Sequence, residues 1–240
     1  MKNIEVCLTP ELFSKYNLEN KIVVIVDILR ATSIITTMFQ NGLKKLIPVN
    51  SLEEARKYKN NGYLVAAERN GKKVDFADFG NSPFEFTSEN ILGKTLVYST
   101  TNGTNTINIA SKSESVLIAS FLNLTSVTNY LKNQQMDILI LCSGWKGNYC
   151  IEDSLFAGAL ADSLLNYKKF TTNCDSVTSS VDLWNVAKAD IHQYIKRIYQ
   201  YNRLTDLGFE SIASHCFKVD LNEVLPVLRK NYIVNLKNSL

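Results

Sequence analysis

The fold is decided by the stretch Ile22-Val23-Val24-Ile25-Val26, which is followed at once by Asp27. A continuous run of β-branched residues predicts a strand that is buried on both faces, as in a parallel or mixed sheet. Thr32 or Ser33 can cap a helix that begins just after this strand and runs to about Asn41-Gly42. A buried strand that leads straight into a helix is typical of an α/β protein.

The same alternation continues outward along most of the chain. Further strands are predicted over 45–49, 63–67, 95–99, 115–119 and 137–141, with a helix opening at Ser51 and others over 107–110, 122–132 and 152–165. From about residue 181 the pattern is more helical, with one long helix over 182–201, and residues 224–236 fit either a strand or a helix. We predict a three-layer α/β/α sandwich with a mostly parallel or mixed sheet, as a single domain over residues 1–240.

Composition limits the class of protein. The 240 residues are 45% hydrophobic and 20% charged, and the formal net charge of +3 is too small and scattered to favour nucleic-acid binding. Five cysteines without paired spacing argue against disulfides, and two histidines exclude a His-rich metal site. Apolar runs are too short for a membrane span, and early acidic residues argue against a signal peptide. We expect a cytoplasmic protein without nucleic-acid or membrane partners; a homo-oligomer stays open.

The first polar segment follows the central strand and contains Asp27, Arg30, Thr32 and Ser33. A carboxylate at the end of a strand can bind a hard cation or attack phosphorus. Arg30 offers a planar set of donors that suits phosphate or carboxylate, and a helix N-terminus favours an anion. The segment therefore favours an anion site beside a metal, although Asp27 could also cap the turn and pair with Arg30.

Two further polar segments lie at predicted strand ends. Glu68-Arg69 combines an acid with a base, which suits a metal and an anion but also fits a solvated turn. The run Thr100-Thr101-Asn102-Gly103-Thr104 places hydroxyls, an amide and a glycine at a strand-to-helix turn, where the backbone can bind an oxyanion. Ligands of open α/β sheets bind beyond the carboxyl ends of the strands, so we expect these segments to converge in one cleft.

A fourth segment follows the strand predicted over 137–141 and contains Cys142, Lys146 and Asp153. A cysteine phosphatase loop would need an arginine six positions after Cys142, and residue 148 is Asn, so Cys142 is interpreted as a structural thiol. Asp153 opens a helix, where the dipole favours acids, and is also a candidate metal ligand. Residues 70–88 form a long irregular stretch, which is typical of a functional or a disordered loop.

In this order the motifs closely resemble those of the 2-phosphosulfolactate phosphatase family. The best matches lie at 26–33 (VDILRATS), Glu68-Arg69, 79–86 (FGNSPFEF), 93–96 (GKTL), 100–104 (TTNGT), Glu152-Asp153 with 157–159, and 216–226. Together they cover nearly the whole chain. Trp145 and Asn148 stand where family members often carry arginine, so substrate choice could differ.

The resemblance implies a magnesium-dependent phosphatase that converts 2-phospho-3-sulfolactate and water to 3-sulfolactate and phosphate, a step of coenzyme M synthesis in methanogens. On this basis we expect Asp27, Glu68 and Asp153 to bind Mg²⁺. Arg30 and Arg69 would clamp the phosphoryl oxygens. The remaining candidates for contact with anionic groups of the substrate are Thr32, Ser33, the turn Thr100–Thr104 and Lys146.

Several alternatives stay open at this level. Attack by water on phosphorus is favoured over Asp27 as nucleophile, because haloacid-dehalogenase phosphatases carry a second Asp two positions on and residue 29 is Leu. The chain could also be a metal-dependent phosphomonoesterase that acts on another small phosphorylated acid. A third alternative is a non-catalytic protein that binds anions.

Overall fold

The computed structural model describes residues 1–238, in which eleven strands form one sheet and ten α-helices pack around it. The strands are β1 (Lys2–Cys7), β2 (Lys21–Val26), β3 (Lys45–Pro48), β4 (Leu64–Arg69), β5 (Lys72–Lys73), β6 (Thr95–Ser99), β7 (Ser115–Ala119), β8 (Asp137–Cys142), β9 (Phe170–Thr171), β10 (Pro226–Arg229) and β11 (Tyr232–Asn235). The helices are α1 (Ala31–Gln40), α2 (Leu52–Asn60), α3 (Ser88–Ile91), α4 (Gly103–Ala110), α5 (Leu124–Leu131), α6 (Ile151–Leu165), α7 (Asp175–Ala187), α8 (Ile191–Ile195), α9 (Tyr199–Asp206) and α10 (Glu210–Cys216).

The strand that suggested the fold lies inside the sheet and is buried on both faces. β2 pairs in parallel with β7 on one side and with β8 on the other. Ile22, Val24 and Val26 contribute to an apolar core on one face, where α5, α6 and α7 pack. Val23 and Ile25 contribute to a second core on the opposite face, together with α1 and α4. Successive residues of a strand point to opposite faces, so one β-branched run serves both cores. The predicted three-layer α/β sandwich is confirmed.

A C-terminal hairpin joins two groups of parallel strands. The strand order is β5-β4-β6-β3-β11-β10-β7-β2-β8-β1-β9, so β10 and β11 lie in the middle of the sheet. β11 pairs antiparallel with β3, and β10 pairs antiparallel with β7. Residues 224–236, which fitted either a strand or a helix, therefore contain two strands. β1 was not predicted from the sequence, because its apolar residues, Ile4, Val6 and Cys7, form only a short stretch.

The predicted long helix over 182–201 is wrong, because this region contains three separate helices. α7 ends at Ala187, α8 spans Ile191–Ile195, and α9 begins at Tyr199. The side chain of Asp190 accepts a hydrogen bond from the backbone N–H of Gln193 at 2.9 Å. Aspartate competes for backbone donors and so starts helices better than it continues them. The break turns α9 towards the candidate site described below.

Within residues 1–238, no helix combines the length and the apolar character that a membrane span requires.

Candidate active site

Asp27 lies directly after β2, in a loop that hydrogen bonds hold tightly. Its Oδ1 accepts the backbone N–H of Ala31 at 3.1 Å. The hydroxyl of Thr32 donates to the backbone oxygen of Asp27 at 2.9 Å and accepts its N–H at 3.0 Å. The hydroxyl of Ser33 donates to the backbone oxygen of Ile28 at 3.0 Å. Thr32 and Ser33 thus fix the shape of the loop that presents Asp27.

Glu68 ends β4 and connects two loops. Its Oε1 accepts both the backbone N–H and the hydroxyl of Thr101, at 2.8 and 3.0 Å. Its Oε2 accepts the backbone N–H of Gly71 at 2.7 Å. These bonds hold the buried carboxylate in one orientation, between the loop after β4 and the turn after β6.

The turn Thr100–Thr104 contacts the Asp27 loop closely. The hydroxyl of Thr100 accepts the N–H of Thr104 at 3.1 Å, and the hydroxyl of Thr104 accepts the N–H of Thr100 at 3.2 Å. A Cβ at Gly103 would lie 2.3 Å from Cβ of Ala31 and 2.8 Å from Oδ2 of Asp27. Glycine is therefore required here, because any side chain would push the two loops apart.

The directions of the strands alone would not predict that the turn Thr100–Thr104 contacts the Asp27 loop. Three successive antiparallel pairings separate β3 from β7. Strands β3, β4 and β6 therefore run in the direction opposite to that of β2, β7 and β8. In a flat sheet the carboxyl ends of the two groups would lie on opposite edges. Twist between neighbouring strands, about 20–25° at each step, accumulates across the hairpin and allows these ends to approach.

These loops enclose a narrow pocket of about 40 Å³, which we call the acid–guanidinium pocket. Its walls come from the ends of β2, β4 and β6, the loop after β8, and α9. The lining side chains that carry polar or aromatic groups are Asp27, Arg30, Glu68, Asn70, Asn81, Thr100, Thr101, Asn102, Trp145, Gln200 and Arg203.

Two guanidinium groups in this pocket have no carboxylate partner in the part of the chain that the structure describes. Arg30 is 6% exposed, donates to the backbone oxygen of Gly71 at 3.3 Å and lies 5.3 Å from the ring of Phe209. Arg203 donates to the backbone oxygen of Asn70 at 3.3 Å, and its Cζ lies 5.0 Å from the ring of Trp145. Neither takes part in an ion pair within residues 1–238. Their positive charge is therefore available to an anionic ligand.

Seven of the predicted site residues lie outside the pocket lining: Thr32, Ser33, Arg69, Gly103, Thr104, Lys146 and Asp153. Arg69 neighbours Glu68 on β4 and points to the other face, where it donates to the hydroxyl of Ser99 at 3.0 Å. Lys146 is exposed, with its Nζ 4.7 Å from the ring of Trp145, and its backbone N–H donates to Oδ1 of Asn102 at 3.2 Å. Asp153 is described next.

Asp153 lies behind the pocket and supports its walls. Its Oδ1 accepts the backbone N–H of Ile28 at 2.9 Å, and its Oδ2 accepts the N–H of Gly144 at 3.0 Å. Both oxygens are therefore used to join the loop after β2 to the loop after β8. The structure thus brings Asp27, Arg30, Glu68 and residues 100–102 to one pocket, with Asp153 bonded to the same loop from the interior.

Sequence reasoning missed the polar residues of α9 and one loop amide. Gln200 and Arg203 were missed because nothing indicated that the end of the helix predicted over 182–201 would lie against the ends of the strands. Asn81 lies in the irregular stretch flagged as a candidate loop, and its Oδ1 accepts a hydrogen bond from the buried hydroxyl of Tyr98. The length of that loop and the family motif at 79–86 were the available signals for Asn81.

Three buried acids, Asp27, Glu152 and Asp153, lie in or next to the Asp27 loop. Burial raises the pKa of Asp27 to about 6; the nearby charge of Glu68 also raises it, while the N–H of Ala31 and the charge of Arg30 lower it. Burial and the charges of Asp27 and Glu152 hold the pKa of Asp153 well above its usual range. Burial likewise raises the pKa of Glu152 to about 7. A bound cation would relieve this repulsion.

The donor set can be tested against a magnesium ion. Among residues 1–238, no three His, Cys, Asp or Glu side chains are grouped so that they could hold a metal together. Magnesium keeps several waters and is usually held by one or two carboxylates together with substrate phosphates. Asp27 and Glu68, which line one pocket beside hydroxyl groups, fit that smaller ligand set. Asp153 does not line that pocket and fits a supporting role, since its oxygens join the loop after β2 to the loop after β8.

Comparison with known proteins identifies the family of this chain. A family model described as 2-phosphosulpholactate phosphatase matches residues 7–231. The chain belongs to the 2-phosphosulfolactate phosphatase family. The resemblance seen in the motifs is thereby confirmed, and the family consists of phosphoric monoester hydrolases, so the chain is a phosphatase by membership.

Relatives of this phosphatase family match over almost their whole length. A probable 2-phosphosulfolactate phosphatase of Caldanaerobacter subterraneus is 35% identical over 222 residues, which cover 91% of each chain. One of Thermotoga petrophila is 39% identical over 210 residues, covering 88% of this chain and 90% of its own. One of Clostridium perfringens is 33% identical over 243 residues, covering 99% and 98%.

Proposed function

We propose that this chain hydrolyses 2-phospho-3-sulfolactate to 3-sulfolactate and phosphate, with Mg²⁺ held by Asp27 and Glu68. One observation carries the proposal: two guanidinium groups that have no carboxylate partner within residues 1–238 line a narrow pocket that also holds two buried carboxylates. The guanidinium groups require an anion, and the carboxylates require a cation. A phosphate ester that arrives with a divalent cation satisfies both requirements at once.

The substrate explains why two guanidinium groups are needed. The molecule carries a phosphate, a carboxylate and a sulfonate on a three-carbon body. Arg30, fixed beside Asp27, is placed to hold the phosphoryl oxygens. Arg203, held by Asn70 and Trp145 on the α9 side, would bind the sulfonate or the carboxylate. The backbone of the turn Thr100–Thr104 would position the remaining oxygens.

Hydrolysis then depends on charge neutralisation and positioning. A phosphate monoester resists attack because the nucleophile approaches a dianion and an alkoxide must leave. Magnesium, when bound, supplies positive charge that offsets the phosphoryl oxygens. Arg30 adds a second positive group from the protein, and α9 with Trp145 restricts access of bulk water. Asp27 orients the attacking water and accepts its proton, which then passes to the departing alkoxide so that 3-sulfolactate leaves as the alcohol.

Direct attack by Asp27 on phosphorus is the alternative mechanism. It would leave an acyl phosphate on Asp27, which survives quenching in acid. Enzyme that is mixed with substrate, quenched in acid and digested should carry no phosphorylated Asp27 peptide by mass spectrometry. Detection of that peptide would replace water attack with nucleophilic catalysis.

The substrate assignment is tested by phosphate release from purified protein. We expect release from 2-phospho-3-sulfolactate with Mg²⁺, loss of release with a chelator, and little release from phospholactate or glucose 6-phosphate. Arg30→Ala and Asp27→Asn should each lower kcat/KM by about a thousandfold or more. Asp75→Asn replaces an exposed acid outside the pocket and should match the parent protein.

Two results would contradict the proposal in different ways. Equal turnover of phosphorylated acids that lack a sulfonate would contradict the substrate assignment but not the phosphatase activity. Binding of the compound without phosphate release, under every metal condition, would indicate a protein that binds anions without catalysis.

A further inference from the structure

Asn81 lines the acid–guanidinium pocket, and the proposed hydrolysis leaves it without a role. Its position follows from the way the loop after β5 runs beside β4. Phe79 forms a parallel bridge with Ala66 of β4, and two residues further along the two segments are Asn81 and Glu68. This register brings Asn81 beside Glu68, at the end of β4 that opens into the pocket.

A buried tyrosine fixes the orientation of the Asn81 amide. Tyr98 of β6 pairs with Ala66 on the other side of β4, and its side chain is fully buried. The Tyr98 hydroxyl donates to Oδ1 of Asn81 and has no other hydrogen-bond partner among residues 1–238. Burial raises the pKa of Tyr98, so the phenol keeps its proton and needs an acceptor. The amide oxygen therefore faces Tyr98, and the amide nitrogen faces away from it.

The amide nitrogen is open to the pocket. Asn81 is 8% exposed, and its Nδ2 donates to no acceptor in the part of the chain that the structure describes. Solvent still reaches this nitrogen, and because Asn81 lines the pocket, its two N–H groups open into it. An amide donates without carrying a charge, so it is not drawn into an ion pair with Asp27 or Glu68. Its N–H groups stay available to a ligand.

The neighbouring charges indicate which part of a ligand these N–H groups meet. The charges of Asp27, Glu68 and Arg30 act on the hydroxyl of Tyr98, which is bonded to Asn81. The amide thus lies at the end of the pocket where the proposed function places the phosphoryl group. A phosphoryl group has three oxygens that share negative charge, and two carboxylates beside it repel that charge. Donors besides the one guanidinium group are needed to hold it there.

We propose that Asn81 binds the substrate by donating from Nδ2 to an oxygen of the phosphoryl group, and that Tyr98 positions Asn81 by holding its Oδ1. This inference rests on the proposed function for the phosphoryl group, but not for the sulfonate. A donor that is already fixed in place stabilises charge as it develops on the phosphoryl oxygens. Asn81→Ala should therefore lower kcat/KM by about a hundredfold.

The test is a calorimetric titration of the full chain, in the presence of Mg²⁺, with inorganic phosphate and separately with 3-sulfolactate. We expect Asn81→Ala to weaken binding of phosphate by about tenfold or more, because a hydrogen bond to a charged group is lost, and to leave binding of 3-sulfolactate unchanged. Tyr98→Phe should weaken phosphate binding less, since the amide is kept but can rotate. Asn108→Ala removes an exposed amide outside the pocket and should bind phosphate as the parent protein does.

A double variant separates substrate binding from a purely structural bond. Asn81→Ala alone leaves the buried hydroxyl of Tyr98 without its acceptor, whereas Asn81→Ala combined with Tyr98→Phe removes both partners of the bond. If Asn81 only supported Tyr98, the double variant would regain the phosphate affinity of the parent protein. We expect its affinity to stay as low as that of Asn81→Ala. The double variant also keeps the test valid if Asn81→Ala alone does not fold.

Several results would overturn the role of Asn81. They are absence of phosphate binding to the parent protein, unchanged phosphate affinity in Asn81→Ala, recovery of that affinity in the double variant, and an equal loss of affinity for 3-sulfolactate. Failure of the proposed function looks different. Phosphate binding that depends on Asn81, in a protein that does not hydrolyse 2-phospho-3-sulfolactate, would contradict the substrate assignment and support the role of Asn81.

Discussion

Asp27 shows how a functional carboxyl group can lower the stability of the protein that carries it. It lies in a buried loop beside Glu68, and burial raises its pKa to about 6. The unfolded chain has an ordinary Asp pKa of about 3.9, so between these two values the native state holds more protons than the unfolded state. Stability without metal therefore falls as the pH rises through this window. Above about pH 6, the charged carboxylate lowers the free energy of unfolding of the metal-free protein by its full amount.

We predict that Asp27→Asn stabilises the metal-free protein while it abolishes phosphate release. The amide oxygen can still accept the N–H of Ala31, and the charge is gone. A shift of two pKa units corresponds to about 3 kcal/mol, so the gain at pH 7.5 should be on the order of 2 kcal/mol. Thermal unfolding in chelator at pH 7.5 and pH 4.5 measures it, and the gain should shrink at the lower pH, where the parent carboxyl group is protonated.

A gain of equal size at both pH values would show that the stabilisation has another origin than the charge. Addition of Mg²⁺ provides a further comparison. It should raise the melting temperature of the parent protein more at pH 7.5 than at pH 4.5, and it should have little effect on Asp27→Asn.

Arg203 tests whether α9 contributes to substrate binding. We predict that Arg203→Ala raises KM by about tenfold or more, because a charge-assisted contact to an anionic group is lost, while kcat falls much less. Arg203→Lys should recover part of the affinity, since it keeps the charge but not the planar donors. Steady-state kinetics of phosphate release measure both values.

Arg197→Ala serves as the control for Arg203, because Arg197 is an exposed arginine just before α9. It should leave KM unchanged. An unchanged KM in Arg203→Ala would exclude Arg203 from substrate binding, whatever its position in the pocket.

At the scale of elements, α6 and α7 pack with almost no space between their backbones. A Cβ at Gly158 on α6 would lie 1.9 Å from the backbone oxygen of Ser180 on α7 and 3.0 Å from Cβ of Trp184. Backbone atoms cannot move aside as a flexible side chain can. The helices would have to separate, which would also displace the first turn of α6, where Asp153 lies.

We predict that Gly158→Ala lowers the free energy of unfolding by about 3 kcal/mol, even though alanine is the better helix former. Urea unfolding followed by circular dichroism measures the change. Ser163→Ala on the same helix should stay within about 0.5 kcal/mol of the parent protein. A neutral Gly158→Ala would mean that the two helices are not in close contact in solution.

Elements that carry their own periodic signal could be predicted from the sequence. The β-branched run of β2 predicted both that this strand is buried and that its neighbours are parallel. β1 and the break between α7, α8 and α9 could not be predicted in the same way. Their patterns depend on which neighbours cover each face, and a single Asp190 decides where a helix starts.

At the scale of the whole molecule, the sequence indicated which loops meet but not which side chains face each other. Asp27, Glu68 and Thr101 converge because each lies at or just after the end of a strand and the twist of the sheet brings the ends of the two opposed groups of strands together. Alternation along β4 already implies that Glu68 and Arg69 cannot both face one pocket. Arg203 had no signal in the sequence, because its position depends on how α9 packs across the strand ends.

The C-terminal hairpin is the connection between the two groups of strands. We predict that Ile233→Asp disrupts it, because Ile233 is fully buried and pairs with Leu46 of β3. An unpaired charge at this position should cost more than about 3 kcal/mol and abolish phosphate release. Thermal unfolding and the phosphate assay measure both effects.

Tyr232→Asp provides the control for the hairpin, since Tyr232 is only half-buried and points to the other face of β11. It should fold and retain activity. A folded and active Ile233→Asp would show that the two groups of strands hold together without the hairpin.

The position of this hairpin has a consequence for biosynthesis. Asp27 and Asp153 lie beside one group of strands, and Glu68 and Thr101 lie in or beside the other. Strands β10 and β11 join the two groups. A nascent chain emerging from the ribosome has produced every side chain of the proposed site before it has the strands that bring them into register. Catalytic competence must therefore appear late in translation, after β10 and β11 have emerged, and an interrupted chain has no means to release phosphate.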